Sequence, residues 1–138
     1  MSMRDYGVND YGLVLTSDDL EHIVSKLCDD YTEEAFTDDP WSFYDSISDT
    51  IDLEYIDGFT GDATAIDERG FDNWRGSYDY QGDCVFYIPL NRAPGLFTRA
   101  YGAFDEIVLE MRGRVGDYLP KDFNYRDNIR HIVGTYCG

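Results

Sequence analysis

The sequence is poor in lysine, cysteine and histidine, and each shortage excludes a class of protein. Only two of the 138 residues are lysines, and no basic cluster is longer than Arg112-Gly113-Arg114. The phosphate contacts of a nucleic-acid-binding protein are therefore missing. The three cysteines, Cys28, Cys84 and Cys137, are odd in number and include no Cys-x-x-Cys pair. They favour packed, reduced thiols in a cytoplasmic protein over a disulfide framework or a zinc site.

Long apolar runs and catalytic motifs are also missing. No apolar stretch reaches the roughly 18 residues of a membrane helix, and the segment MSMRDYGVND lacks the hydrophobic region of a signal peptide. We therefore expect no contact with a membrane. The chain has no phosphate-binding loop and no dinucleotide-binding glycine motif. His22 and His131 are expected to be solvated, and the sequence predicts no catalytic residue, no metal ligand, no cofactor and no enzyme activity.

Acidic residues are abundant and are concentrated in one half of the chain. The 28 Asp and Glu against 11 Lys and Arg give a net charge of −17. Residues 1–68 hold 19 acidic and two basic side chains, whereas residues 69–138 hold nine of each, so the first half carries the whole net charge. Charge segregated in this way indicates one negative face, which repels nucleic acid and attracts a basic protein surface.

Hydrophobic patterning predicts a single domain over residues 1–138, because 43% of the residues are hydrophobic and 16% are aromatic. Apolar residues at helical spacing follow Thr16, which has Asp19 at the third helical position, as in a capping box. Asp39-Pro40 is typical of a second helix start. Helical spacing returns in the second half. The predicted helices span 17–30, 40–48 and 102–118.

Alternation of apolar and polar residues replaces helical spacing from Ile51 onwards, which predicts strands. Turn residues separate the strands at Asp57-Gly58 and at Gln81-Gly82-Asp83. Residues 1–10 are expected to be loose. The predicted strands span 51–56, 63–66 and the two arms of a hairpin over 77–88. Residues 11–15 fit a short strand or a lead-in to the first helix. Residues 129–136 fit either a final strand, which Gly134 and Thr135 favour, or a short helix. The order predicts an α+β fold: an antiparallel sheet of about four to five strands, two N-terminal helices and one long helix in the C-terminal half.

Seventeen carboxylates lie between Thr16 and Glu68, about one in every three residues, and Lys26 is the single positive charge among them. Duplex DNA carries one negative charge per about 1.7 Å of axis, and carboxylates spaced along a helix and a strand imitate that density. Aromatic residues interleave with the acids, and they are typical anchors at interfaces, although Trp41 and Tyr55 are expected in the core. The predicted partner-binding residues are Asp18, Asp29, Asp30, Glu33, Glu34, Asp38, Asp39, Asp45, Asp52, Glu54, Asp57, Tyr31 and Tyr44.

The stretch DDLEHIVSKLCDDYTEEAFTDD at residues 18–39 is strongly acidic. In this acidity, in its size and in its lack of enzyme motifs, the chain resembles the small inhibitors carried by phages and mobile elements. These include anti-CRISPR proteins and DNA-mimic antirestriction proteins. The resemblance implies an inhibitor in the cytoplasm of a bacterial host cell, where it occupies the basic nucleic-acid-binding channel of a host-defence nuclease.

Two other functions are compatible with the same charges. An immunity protein that neutralises a nuclease toxin uses the same electrostatics in another setting. A metal-dependent hydrolase would need Asp and Glu ligands that converge from distant segments, which a sequence does not display. A solvated acidic surface without a partner is the plainest interpretation of all.

Direct nucleic-acid binding is the first property to test. We predict no measurable binding to DNA or RNA at about 150 mM salt, because the clustered cations that release counterions are missing. Fluorescence anisotropy with labelled duplex and single-stranded probes checks this. Micromolar affinity for either probe would contradict the prediction, and the hypothesis of DNA mimicry with it.

Overall fold

The structure, a computed structural model, describes residues 5–67, 72–90 and 103–137. Four strands and five helices lie in these ranges. The strands are β1 (Asp5–Leu15), β2 (Glu54–Ile66), β3 (Asp72–Pro89) and β4 (Ile129–Cys137). The helices are α1 (Ser17–Leu27), α2 (Glu33–Asp38), α3 (Pro40–Ile51), α4 (Ala103–Val115) and α5 (Tyr125–Asn128).

The four strands close into a barrel in the order β1-β3-β2-β4, and every neighbouring pair is antiparallel. β4 fills the gap between β1 and β2. It pairs with β1 from Asp5 opposite Cys137 to Leu13 opposite Ile129. The pairing of β1 with β3 is shorter and covers only Gly12 to Leu15. The first and last described strands are therefore neighbours, and closure of the barrel depends on contacts between distant parts of the chain.

Two hydrophobic clusters lie on the two sides of the barrel wall. Successive side chains of a strand point to opposite faces, so Val14 joins the inner cluster while Leu13 and Leu15 join the outer one. The outer cluster also contains the buried faces of α1, α3 and α4. Because both faces of β1 are covered here, Leu13-Val14-Leu15 is a continuous buried run. The inner cluster consists of Val14, Phe59, Ala63, Val85, Tyr87 and Ile132.

The ring of Phe59 is fully buried in the barrel and rests on two glycines. Gly61 and Gly134 are direct partners between β2 and β4. A Cβ atom on Gly134 would lie 2.3 Å from the carbonyl oxygen of Thr60 and 2.8 Å from the Phe59 ring. A Cβ atom on Gly61 would lie 2.2 Å from the carbonyl oxygen of Val133. The two glycines therefore allow the backbones and the ring to approach closely.

The predicted arrangement of helices is wrong. Three helices, not two, lie in the N-terminal half, because Thr32 caps the additional helix α2 by accepting a hydrogen bond from the Ala35 amide at 3.0 Å. In the C-terminal half, α4 has 13 residues and hardly exceeds α3 with 12. The short helix α5 was not predicted either. The fold is α+β, but its antiparallel strands close into a barrel.

The predicted turns at Asp57-Gly58 and Gln81-Gly82-Asp83 are also wrong, because each lies at a bulge inside a longer strand. The register between β2 and β3 shifts at both places. The φ angles of Gly58 and Gly82 are 68° and 75°, in the left-handed region that suits glycine. A hairpin turn and a bulge both use such a glycine. The predicted short strands are therefore parts of two long, bent strands.

Other predicted boundaries move because of caps and distant pairing. α3 continues to Ile51 and ends at Asp52, which has φ 54° and ψ 42°, so β2 begins at Glu54. Residues 5–10 are not loose but belong to β1, where they pair with β4. Of the two alternatives for the final element, the strand is the one that forms, as β4. Residue 102 of the third predicted helix lies outside the described residues.

Replacing Gly134 tests the close approach inside the barrel. We expect Gly134→Ala to lower the free energy of unfolding by about 1–3 kcal/mol, because the new methyl group overpacks against backbone and ring. Gly7→Ala is the matched control in β1, where a Cβ atom would meet nothing within 4 Å. The control should change stability by less than about 0.5 kcal/mol. Urea unfolding measures both variants, and equal effects would contradict the proposed packing.

Candidate partner-binding surface

The eleven carboxylates predicted to bind a partner are all exposed. Those in the helical part of the chain come from α1, the α1–α2 connection, α2 and α3. We call these eight residues the helical acidic surface: Asp18, Asp29, Asp30, Glu33, Glu34, Asp38, Asp39 and Asp45. The other three, Asp52, Glu54 and Asp57, lie between the end of α3 and the first bulge of β2.

Aromatic packing beneath α2 and α3 holds the helical acidic surface in place. The ring centroids of Phe36 and Phe43 are 6.1 Å apart, and those of Phe36 and Tyr44 are 5.8 Å apart. α1 adds buried side chains to the same cluster, among them Leu20 and Ile23. Because apolar side chains occupy the inner faces of these helices, their acidic side chains lie on the outside.

The two tyrosines predicted to bind a partner have structural contacts instead of exposed rings. Tyr44 is 6% exposed and belongs to the core. Tyr31 is half-buried, and its hydroxyl group donates a hydrogen bond to the Glu21 carboxylate at 2.5 Å. This hydrogen bond is the largest cause that raises the pKa of Tyr31 to about 12. Both rings therefore support the helical acidic surface from beneath.

Trp41 and Tyr55, expected in the core, are instead 40% and 49% exposed. Their ring centroids are 5.0 Å apart, and the Phe86 ring lies 5.8 Å from that of Trp41. We call Trp41, Tyr55 and Phe86 the aromatic patch. Helical geometry alone indicates that Trp41 is partly exposed, because a rotation of about 100° per residue places it at the margin of the apolar stripe of α3. Tyr55 lies between the acidic residues Glu54 and Asp57.

Two of the predicted carboxylates have partners within the chain. Asp39 caps α3, because its Oδ1 atom accepts a hydrogen bond from the Ser42 amide at 3.3 Å. Asp52 forms an ion pair with Arg114 at 2.8 Å and so joins the end of α3 to α4. These two side chains have structural roles, so they are poorer candidates for partner binding than the rest.

A depression of about 530 Å³ opens at one end of the barrel, between the first half of β1 and the start of β2. Glu54 and Asp57 line it together with Asp10, which sequence analysis did not single out. Tyr55 belongs both to this depression and to the aromatic patch. We call it the barrel mouth, and its lining residues are Gly7, Val8, Asn9, Asp10, Glu54, Tyr55, Ile56, Asp57, Tyr87 and Tyr136.

The two histidines are not the solvated side chains that were expected. The Nδ1 atom of His22 lies 2.7 Å from the carbonyl oxygen of Tyr118, to which it donates a hydrogen bond. His131 lies between two side-chain oxygens, 2.9 Å from Asp72 and 2.6 Å from Asn9. Its ring stacks on Tyr11 with a centroid separation of 4.2 Å. Both histidines therefore serve as links between chain segments.

Cys28 and Cys84 are half-buried, in agreement with the packed thiols that the sequence predicts. Burial is the largest cause that raises the pKa of both thiols, and nearby carboxylates add to it. For Cys84, burial and the charge of Asp57 raise the pKa to about 11. Thiols with a raised pKa are poor nucleophiles at neutral pH, because the thiolate is the reactive form.

Within residues 5–67, 72–90 and 103–137, no three His, Cys, Asp or Glu side chains converge as a metal site. No helix in those ranges is long and apolar enough to cross a membrane. No known protein family, curated protein or solved structure matches the chain. The functional proposals therefore depend on the charges, contacts and exposure of the chain itself.

The thiol of Cys84 offers a test of the electrostatics beside the barrel mouth. We expect iodoacetamide at about pH 8 to modify Cys84 slowly, because a pKa near 11 leaves about one thiolate in a thousand. Asp57→Asn should accelerate this reaction, since removing the carboxylate lowers the pKa, whereas Asp62→Asn should not. Peptide mass spectrometry over time measures the rate. Modification of Cys84 as fast as that of the exposed Cys137 would contradict the assignment.

Proposed function

We propose that the protein inhibits a bacterial host-defence nuclease, of the kind that anti-CRISPR or antirestriction proteins block. In this proposal the helical acidic surface occupies the basic nucleic-acid-binding channel of the nuclease and excludes its substrate. One observation carries the proposal: all eleven predicted carboxylates are exposed, and those of the helices stand on a packed aromatic core. The site of action is the cytoplasm of the host cell.

Rigidity is what distinguishes a mimic of nucleic acid from a merely acidic surface. α1 begins with a complete capping box at Thr16 and Asp19, and the caps at Thr32 and Asp39 start α2 and α3. Each cap supplies a hydrogen-bond acceptor to a backbone amide that has no partner within the helix. The carboxylates on α1, α2 and α3 are consequently held at set spacings by short, capped helices, and Asp29 and Asp30 lie in the connection between two of them. A basic channel that binds phosphates at regular spacing is the complementary partner.

The aromatic patch supplies the second component of an interface. Long-range charge mainly raises the association rate and selects the partner, whereas most differences in affinity arise from the dissociation rate. Exposed tryptophan and tyrosine are over-represented among the residues that dominate binding energy. Trp41 and Tyr55 meet this description next to Asp45, Glu54 and Asp57. We therefore assign capture of the nuclease to the carboxylates and retention to the aromatic patch.

Charge reversal on the helical acidic surface tests the proposal. We expect the triple variant Asp29→Lys, Asp30→Lys and Asp38→Lys to lose inhibition while it stays folded, because it removes the charges that the basic channel binds. Plaque assays measure protection of a phage in bacterial strains that carry restriction or CRISPR systems. Stopped-flow binding to the inhibited nuclease should show that the wild-type association rate falls steeply with ionic strength.

The matched control places the same charge change elsewhere. Asp62→Lys, Asp79→Lys and Asp122→Lys also replace three exposed acids, two on the strands and one after α4. This variant should keep most of the inhibition. Equal loss in both variants would show that total charge, not one face, is responsible. Absence of protection by the wild-type protein in every defence-carrying strain would contradict the proposed function itself.

A further inference from the structure

The carboxylate of Asp10 lies in the barrel mouth, where the neighbouring backbone holds it in position. A Cβ atom on Gly12 would lie 2.7 Å from Cδ2 of Tyr87, so the bare backbone allows the Tyr87 ring to lie across β1. The Tyr87 ring and the Asp10 carboxylate both line the mouth. The Tyr11 amide donates a hydrogen bond to Oδ1 of Asp10 at 2.9 Å. Asp10 is half-buried, and this amide orients its charge before any ligand arrives.

The charges in the barrel mouth are of one sign. Asp10, Glu54 and Asp57 line it, and the described lining contains no lysine or arginine. A concave site with carboxylates and apolar walls concentrates a negative potential. Burial, followed by the charge of Asp10, raises the pKa of Tyr87 well above its usual value, so its phenol stays a neutral donor at physiological pH. The ligand that compensates these three charges must be cationic.

Aromatic walls narrow the choice of cation. Tyr55, Tyr87 and Tyr136 all line the barrel mouth, and Tyr136 stacks on Tyr6 with a centroid separation of 5.2 Å. A guanidinium group is flat, stacks on aromatic faces and binds carboxylates through two parallel hydrogen bonds. A compact ammonium group uses only part of this arrangement. The same stacking of a guanidinium group on a tyrosine occurs within the chain, where the guanidinium of Arg130 lies 3.6 Å from the centre of the Tyr78 ring.

We propose that the barrel mouth binds an arginine side chain of the partner protein, with the guanidinium paired to Asp10 and flanked by tyrosine rings. The volume of about 530 Å³ is within the usual range for ligand sites and accommodates this side chain with adjoining residues. Tyr55 makes the mouth continuous with the aromatic patch, so one partner can contact both. That the arginine belongs to a nuclease rests on the proposed function, whereas recognition of guanidinium rests on the mouth alone.

Binding of a single arginine tests the proposal without any nuclease. The probe is Nα-acetyl-arginine amide, titrated into the 15N-labelled full chain and followed by NMR. We expect saturable shifts confined to the amides of the barrel mouth, such as residues 7–10 and 54–57. Nα-acetyl-citrulline amide has the same shape without the charge and should bind about tenfold more weakly or worse, since hydrogen bonds to charged groups are the stronger ones. Equal binding of the two amides would overturn the proposal.

Variants of the mouth make the test specific. Asp10→Asn keeps the size of the side chain and should weaken arginine binding at least about tenfold, whereas Asp62→Asn on β2 should leave it unchanged. Glu54→Gln at the rim should weaken binding to a smaller extent, and it replaces Asp10→Asn if that variant does not fold. Chemical-shift changes that spread over the acidic helices and do not saturate would indicate non-specific electrostatic attraction, and they would overturn the proposal.

Failure of this proposal is distinguishable from failure of the proposed function. If arginine amide does not bind, but charge reversal of the helices still abolishes inhibition, the mouth is not an arginine site and the inhibitor function stands. If arginine amide binds at the mouth, but no defence system is inhibited, recognition of arginine stands and the partner is a different protein.

Discussion

Closure of the barrel around the Phe59 ring is the constraint on which the other features depend. Four strands enclose little space, so the rings of Phe59 and Tyr87 and four aliphatic side chains fill the interior to the density of a protein core. The Phe59 ring fits only because Gly61 and Gly134 face each other beneath it. Once the wall is closed, its outer face supplies the apolar platform on which α1, α3 and α4 pack.

Concentrated negative charge has a cost that the fold reduces but does not remove. Like charges repel and destabilise a compact state. Asp18 and Asp19 in α1, and Glu33 and Glu34 in α2, lie in first turns, where the helix dipole favours a carboxylate. Asp52 is paired with Arg114. Asp29, Asp30, Asp38 and Asp45 lie neither in a first turn nor in a described ion pair, and we attribute them to a partner.

The exposed carboxylates of the candidate site could largely be found from the sequence, whereas among its aromatic anchors only Trp41 had a local signal, its position at the margin of the apolar stripe of α3. The carboxylates follow a pattern along the chain, and charged side chains are rarely buried without a partner, so their exposure was predictable. No comparable rule predicts whether an aromatic side chain is exposed. Tyr44 and Trp41 are separated by less than one helical turn, yet one is buried and the other exposed, because Phe86 from β3 and the wall of the barrel decide which face of α3 is covered.

Local interactions explain what the sequence by itself determined. The capping box at Thr16 and the Asp39-Pro40 start involve neighbouring residues, so the information that specifies them is local. Only the tertiary structure decided whether Gly58 and Gly82 make turns or bulges, because the same backbone conformation serves both. Only closure of the barrel brought Asp10 to Glu54 and Asp57. Their positions depend on strand pairs between residues far apart in the chain, and no local pattern encodes those pairs.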